Sequence, residues 1–213
     1  MRKLPVYLVI DCSHSMRGEP IQTINEGLAA FASDLLGNPF ALETVAVSLI
    51  TFSTEAELKV PLSEVLQLRI PELEAGGKSD LGAALRLVAD RVALEVQRAS
   101  PTRKGDWKPM IFVLSDGAPS GAWITPAKAI RSLHDSGKAT VVAFGYGPKV
   151  RRENLQRITP TVLLSPASEP ESLGRFLKWV TQAVSQSCSV AQADTRTSEK
   201  LPQVPVGIVH CSP

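Results

Sequence analysis

Long apolar runs are missing from this chain of 213 residues. No stretch approaches the roughly 18 residues that a bilayer-spanning helix needs, which argues against a helical membrane protein. Cysteine is scarce. Cys12, Cys188 and Cys211 are odd in number and widely spaced, so a disulfide framework is not expected and a reducing compartment is. His210-Cys211 with Cys188 is too sparse for a structural zinc site, which takes four ligands. Excess charge is lacking too: a formal net charge of +2 gives no argument for nucleic acid. The basic start Met1-Arg2-Lys3 has no signal peptide behind it, because the apolar run is short, contains Pro5 and ends at Asp11. Val9-Ile10-Asp11-Cys12 is a poor lipoprotein site, since a charge precedes the cysteine. A cytoplasmic location is the expectation.

Two enzyme signatures are absent as well. No G-x-S-x-G elbow occurs, and besides His14 the only histidines are His134 and His210, so Cys12 and His14 beside serines do not make a hydrolase. Gly77-Lys78-Ser79 resembles the end of a phosphate loop, but Glu72 stands where that pattern needs glycine. Lys78 reads as solvated and Cys12 as a small packed side chain. No internal repeat is visible.

What is present is a regular alternation of apolar patterns. The chain is 44% hydrophobic and 21% charged, which fits one α/β domain with a real core. Pro5 to Ile10 reads as a buried strand. Gly18-Glu19-Pro20 opens a helix whose inner face is Ile21, Ile24, Leu28, Phe31 and Leu35, and Gly37-Asn38-Pro39 stops it. Val45 to Phe52 is a strand covered on both faces, and Ala56 to Val60 follows after a turn too short for anything but a hairpin. Ser63 to Leu68 reads as a short helix. Ser79 to Gln97 is the clearest helix, with Leu81, Leu85, Val88, Val92 and Val96 as its stripe and Ser79 as its N-cap. Basic Ala99 to Lys108 is an exposed loop. Strands at Met110 to Leu114, Ala139 to Gly145 and Thr161 to Leu164 alternate with helices around Ala127, Ile130 and Leu133, at Asn154 to Ile158, and from Leu173 to Val184.

The pattern predicts a three-layer α/β fold. Its sheet has six strands, mostly parallel, in the order 3-2-1-4-5-6 with the third antiparallel, and helices cover both faces. Residues 1–187 form the domain, and 188–213 a docked or disordered tail. Asp11 ends the first strand and Asp116 the fourth. If those strands are central neighbours, both carboxylates meet at the crevice where such sheets bind ligands.

Asp11, Ser13 and Ser15 alternate in sequence, so in an extended loop their oxygens face one point. An all-oxygen set suits a hard cation such as Mg²⁺. An isolated D-x-S-x-S stretch would more simply be a polar turn. Two later stretches alter that reading: a hydroxyl at Ser79 heading a helix, and Ser115-Asp116-Gly117 after a strand. Together the three parts resemble the metal-ion-dependent adhesion site of von Willebrand factor type A domains, over about residues 4 to 187. Asp11 to Met16 with Arg17-Gly18-Glu19-Pro20, Ile50-Thr51-Phe52, Ser79 to Leu85, and Ser115 to Pro119 further resemble the bacterial tellurite-resistance TerY-type proteins.

The resemblance implies that Ser13, Ser15 and Ser79 bind a metal by their hydroxyls, with Asp11 and Asp116 holding it directly or through water. The metal would be Mg²⁺, or Mn²⁺ or Ca²⁺. An Asp or Glu of a partner protein would complete the shell. It also implies a Rossmann-like adaptor without catalytic activity, monomeric alone, in a stress-response or signalling module that includes a kinase or phosphatase. Where the family commonly has threonine and glycine, this chain has Ser79 and His14. The alternative is a Mg²⁺-dependent haloacid-dehalogenase-like phosphotransferase with Asp11 as nucleophile. Such enzymes carry a second Asp two residues on, and here that position is Ser13. Trp123 is either packed on its own helix or an aromatic anchor for a partner. Met16 and Arg17 carry the same two readings, and His14 reads as a polar loop residue in place of a base, set to line the partner surface.

Overall fold

The computed structural model describes residues 2–116, 119, 121–165, 169–192 and 201–211. In chain order the elements are β1 (Leu4–Asp11), α1 (Glu19–Leu36), α2 (Pro39–Thr44), β2 (Val45–Phe52), β3 (Ala56–Glu64) and α3 (Leu81–Glu95). Then come β4 (Met110–Ser115), α4 (Ile124–Asp135), β5 (Thr140–Tyr146), α5 (Arg152–Gln156), β6 (Val162–Ser165), α6 (Pro170–Gln192) and β7 (Val209–Cys211). Among the described residues the strands form one sheet in the order β3-β2-β1-β4-β5-β6-β7. Strands β2, β1, β4, β5 and β6 run parallel, and β3 and β7 are antiparallel edges.

The apolar strands are buried on both faces because helices cover both. In β1, Leu4, Val6, Leu8 and Ile10 point into the layer that α1 and α6 close with Ile24, Leu28, Phe31, Phe176, Leu177 and Val180. Tyr7 and Val9 point the other way, against Leu81, Leu85 and Val88 of α3 and Ala127 and Ile130 of α4. Each such large side chain stabilises the fold by about 1.5–3 kcal/mol on full burial. Phe144 stacks on Phe176 with ring centroids 4.3 Å apart, which ties the sheet to α6.

The structure departs from the expectations at several points. The sheet has seven strands and not six. The boundary expected at residue 187 falls inside α6, which continues to Gln192, and β7 pairs with β6 through Val162 and Cys211. Leu201, Val204 and Ile208 pack against the α1/α6 core, and Pro202 O accepts from Trp179 Nε1 at 3.1 Å, so apolar contact anchors a segment that reads as polar. Gly37-Asn38-Pro39 stops α1 but also starts α2: the Asn38 side chain accepts from Phe40 N and Ala41 N. Ser63 to Leu68 is not a helix throughout, because β3 runs to Glu64 and only a single turn at Val65–Gln67 follows. The N-cap of α3 is Asp80, whose side chain accepts from Ala83 N at 2.9 Å, and not Ser79.

Candidate functional site

The register of the parallel strands brings the first two site residues together. Ile10 pairs with Leu114, so the next residues, Asp11 and Ser115, end β1 and β4 side by side. Beyond Asp11 the chain makes a single helical turn, with Met16 N donating to Ser13 O at 2.9 Å. Met16 is fully buried and anchors that turn, whereas His14, Ser15 and Arg17 are exposed.

A second loop is fastened to the first by backbone bonds. Gly76 N donates to Cys12 O at 2.7 Å and His14 N to Gly77 O at 3.0 Å. Lys78 N donates to Thr54 Oγ1 at 3.2 Å and Asp80 N to Ser53 O at 2.8 Å. Gly77 has φ +79°, and a Cβ there would lie 2.5 Å from Thr54 Oγ1. Only glycine meets both conditions without strain. This fastening turns Ser79 inward instead of leaving it to cap α3.

The five residues singled out from the sequence lie in one network. Ser13 N donates to Asp11 Oδ1 at 2.9 Å, and Ser79 Oγ donates to Asp11 Oδ2 at 3.1 Å. Ser13 Oγ and Ser15 Oγ are 3.1 Å apart, and Ser15 Oγ donates to Asp116 Oδ2 at 2.7 Å. The set therefore draws on three distant parts of the chain. Gly117 of the third part lies outside the described residues. Sequence reasoning missed Ser115 as a member: its hydroxyl donates to Asp11 Oδ2 at 3.2 Å. The strand pairing of Ile10 with Leu114 is what directs it there.

Asp11 is completely buried. Burial pushes its carboxyl up to about 6, the Ser13 and Ser79 hydrogen bonds pull it down, and the Asp116 charge pushes it up. No basic side chain is among these principal influences. Beside it, burial and then the Asp11 charge push the Cys12 thiol up to about 12, so Cys12 is a packed side chain and not a ready nucleophile. Among the described residues no three His, Cys, Asp or Glu side chains converge. The donor set is two carboxylates and neutral hydroxyls, a composition for a hard cation and not for zinc.

A pocket of about 390 Å³ opens beside Ser15 and Asp116, bounded by Met16, Pro20, Tyr146 and Lys149. It can receive a side chain next to the carboxylates. Trp123 is not part of this face: it is 9% exposed within the α3/α4 layer, where its Cα would lie 3.0 Å from a Cβ at Gly82. Trp123 is thus a packed side chain between α3 and α4 and not an anchor for a partner at this face. Among the described residues no helix is long and apolar enough to cross a membrane.

Three solved structures share the fold. Proximal thread matrix protein 1 from the mussel byssus aligns with TM-score 0.62 and 18% identity over 84% of this chain and 47% of its own. The pilus adhesin SpaC from Lactobacillus rhamnosus GG, in an open conformation, aligns with TM-score 0.65 and 16% identity over 88% of this chain and 30% of its own. A von Willebrand factor type A protein from Catenulispora acidiphila aligns with TM-score 0.62 and 17% identity over 87% of this chain and 43% of its own. The chain thus spans less than half the length of each. Among curated proteins no match was found. Residues 6–178, from the third residue of β1 well into α6, match the von Willebrand factor type A domain, and the chain belongs to that family.

Proposed function

We propose that this domain is a protein-interaction module that binds a divalent cation and, through it, an acidic residue of a partner. The observation that carries the reading is the buried Asp11 carboxylate, bonded by Ser79 and linked through Ser13 and Ser15 to Asp116, with no basic side chain among the chief influences on its charge. A divalent cation would supply the compensating charge. Asp11, Ser13, Ser15, Ser79 and Asp116 would hold it, and Mg²⁺, which retains water or a further oxygen ligand readily, fits such a set best. Bound there, the cation supplies an electrophile for an incoming carboxylate.

The chain's own residues do the rest. The two glycine-containing loops are fastened together, so the hydroxyls are held in place before any ligand arrives. Burial of Asp11 keeps water from competing for that carboxylate. The pocket beside Asp116 offers space for the residue flanking the partner's Asp or Glu. We assign no catalytic step to the site. A phosphotransferase nucleophile must reach a phosphate, whereas Asp11 is buried and accepts from Ser13 N, Ser79 Oγ and Ser115 Oγ.

The finer reading is an adaptor in a bacterial stress-response or signalling module of the TerY type, with a kinase or phosphatase as partner. Its support is the stretch Asp11 to Pro20 together with Ser79 to Leu85 and Ser115 to Pro119. The test is thermal denaturation with and without Mg²⁺, followed by pull-down with and without chelator. At a hundredfold excess over Kd the metal should stabilise the fold by about 2.7 kcal/mol. Asp116→Ala and the pair Ser13→Ala with Ser79→Ala should abolish that shift. An unchanged shift in these variants would remove the reading.

A further inference from the structure

A second surface lies at the opposite pole of the sheet, where β1, β4 and β5 begin. It is a groove of about 520 Å³. Its floor is aliphatic: Val92 from α3, Val96 just after it, and Leu133 from α4. Its rim is basic, and the cations come from separate segments. Arg98 follows α3, Lys108 precedes β4, and Lys138 precedes β5; all three are exposed. Arg2 adds a fourth from the segment before β1.

Among the described residues no carboxylate pairs with Arg98 or Lys138. Asp106 accepts from Lys3 N through Oδ1 at 3.0 Å and from Gln97 N through Oδ2 at 2.9 Å, which fixes it as a brace for the loop. Glu95 is bonded by Arg91 and by Tyr7 Oη. Asp135 is paired with Arg131. The sequence shows the same imbalance: the segment 98–108 holds four basic residues and one acidic residue, Asp106.

We infer that this groove docks an acidic protein segment carrying aliphatic side chains, separately from the proposed metal site. The carboxylates of the segment would meet the rim, and its aliphatic groups would cover Val92, Val96 and Leu133. Charge complementarity supplies selection and apolar burial supplies affinity. A nucleic acid fits less well. Base recognition by stacking needs a free aromatic face, and the aromatic ring of the groove, Trp107, is covered by Arg2, whose Cζ lies 3.5 Å from the ring centroid. Arg2 is held there by its Nε, which donates to Gly105 O at 2.7 Å.

The test is fluorescence anisotropy on the intact chain in chelator, so that no divalent cation contributes. The probe is a labelled short peptide repeating Glu-Glu-Leu, compared with one repeating Glu-Glu-Ser. The leucine peptide should bind about tenfold more tightly than the serine peptide. Arg98→Glu with Lys138→Glu should weaken it by about tenfold at unchanged melting temperature. Both positions are exposed, so folding is not at stake, and Asp116→Ala should retain full peptide affinity. Four results would overturn the inference. They are absence of saturable binding, equal binding of the two peptides, indifference to the charge reversal, and tighter binding of oligothymidine or phosphatidylserine vesicles than of the leucine peptide.

Discussion

Ser79 and Asp11 are 68 residues apart in the chain, yet the hydroxyl of the first donates to the carboxylate of the second at 3.1 Å. The next residue, Asp80, turns the other way and caps α3. Two adjacent side chains thus serve separate ends, and substitution should separate them. Asp80→Ala should cost about 1 kcal/mol of stability and leave the Mg²⁺-induced shift in melting temperature intact. Ser79→Ala should reduce that shift. Denaturation of both variants with and without the metal checks the pair.

The buried carboxyl makes metal-free stability depend on pH. Asp11 sits at about 6 in the fold, against an ordinary value of 3.8. Between those values the folded chain holds a proton that the unfolded chain has released. Stability from this group is therefore full below the lower value and is lost as pH rises through the upper one. The loss amounts to about 3 kcal/mol. Asp116 opposes ionisation across the site, and the Ser13 and Ser79 hydrogen bonds favour it. Asp11→Asn should flatten the dependence in this window. Urea unfolding of both proteins in metal-free buffer measures it, and added Mg²⁺ should restore parental stability at neutral pH.

Gly77 is the hinge pin of the two fastened loops. Gly77→Ala places a Cβ in a left-handed backbone conformation and 2.5 Å from Thr54 Oγ1. It should destabilise the fold by about 1–3 kcal/mol. Because His14 N bonds to Gly77 O, the strain should reach the Ser13–Ser15 turn and weaken the response to Mg²⁺ as well. Calorimetric titration of the metal, with melting temperature as control, separates the two effects.

Trp179 joins α6 to the returning chain through its bond to Pro202 O. Trp179→Phe removes that donor and leaves part of a fully buried volume empty. A loss of about 1–3 kcal/mol is expected. Hydrogen exchange should rise first in residues 201–211 and only later in the central strands. Uniform acceleration across the sheet would mean that the segment and the core open as one unit.

Much of this was legible in the amino-acid order, for physical reasons that differ by element. The run from Val6 to Ile10 is apolar at every position, which only a doubly covered strand explains, and it fixes where Asp11 emerges. The α1 face from Ile21 to Leu35 repeats at helical spacing and is buried as read. Three features resisted reading. Ser79 and Asp80 are both good caps, and local preference does not choose between them; the bonds from Gly76, Gly77 and Asp80 do. Ser115 joins the network because of strand register, a long-range property. The strand β7 is three residues long, and only Cys211 within it is buried, so no local pattern announces it. Pairing with β6 creates it.

The antiparallel direction of β7 has a practical consequence. Cys211 lies beside Val162, at the start of β6, so the chain leaves the sheet at the pole where Arg2 enters it. A carrier or surface linker joined beyond Cys211 or ahead of Arg2 would start from the pole away from Asp11 and Asp116 and leave that face open to visitors. The same attachment at the front end would crowd Arg2 and its neighbours, so the choice of tagging end decides whether an assay can see the groove as well.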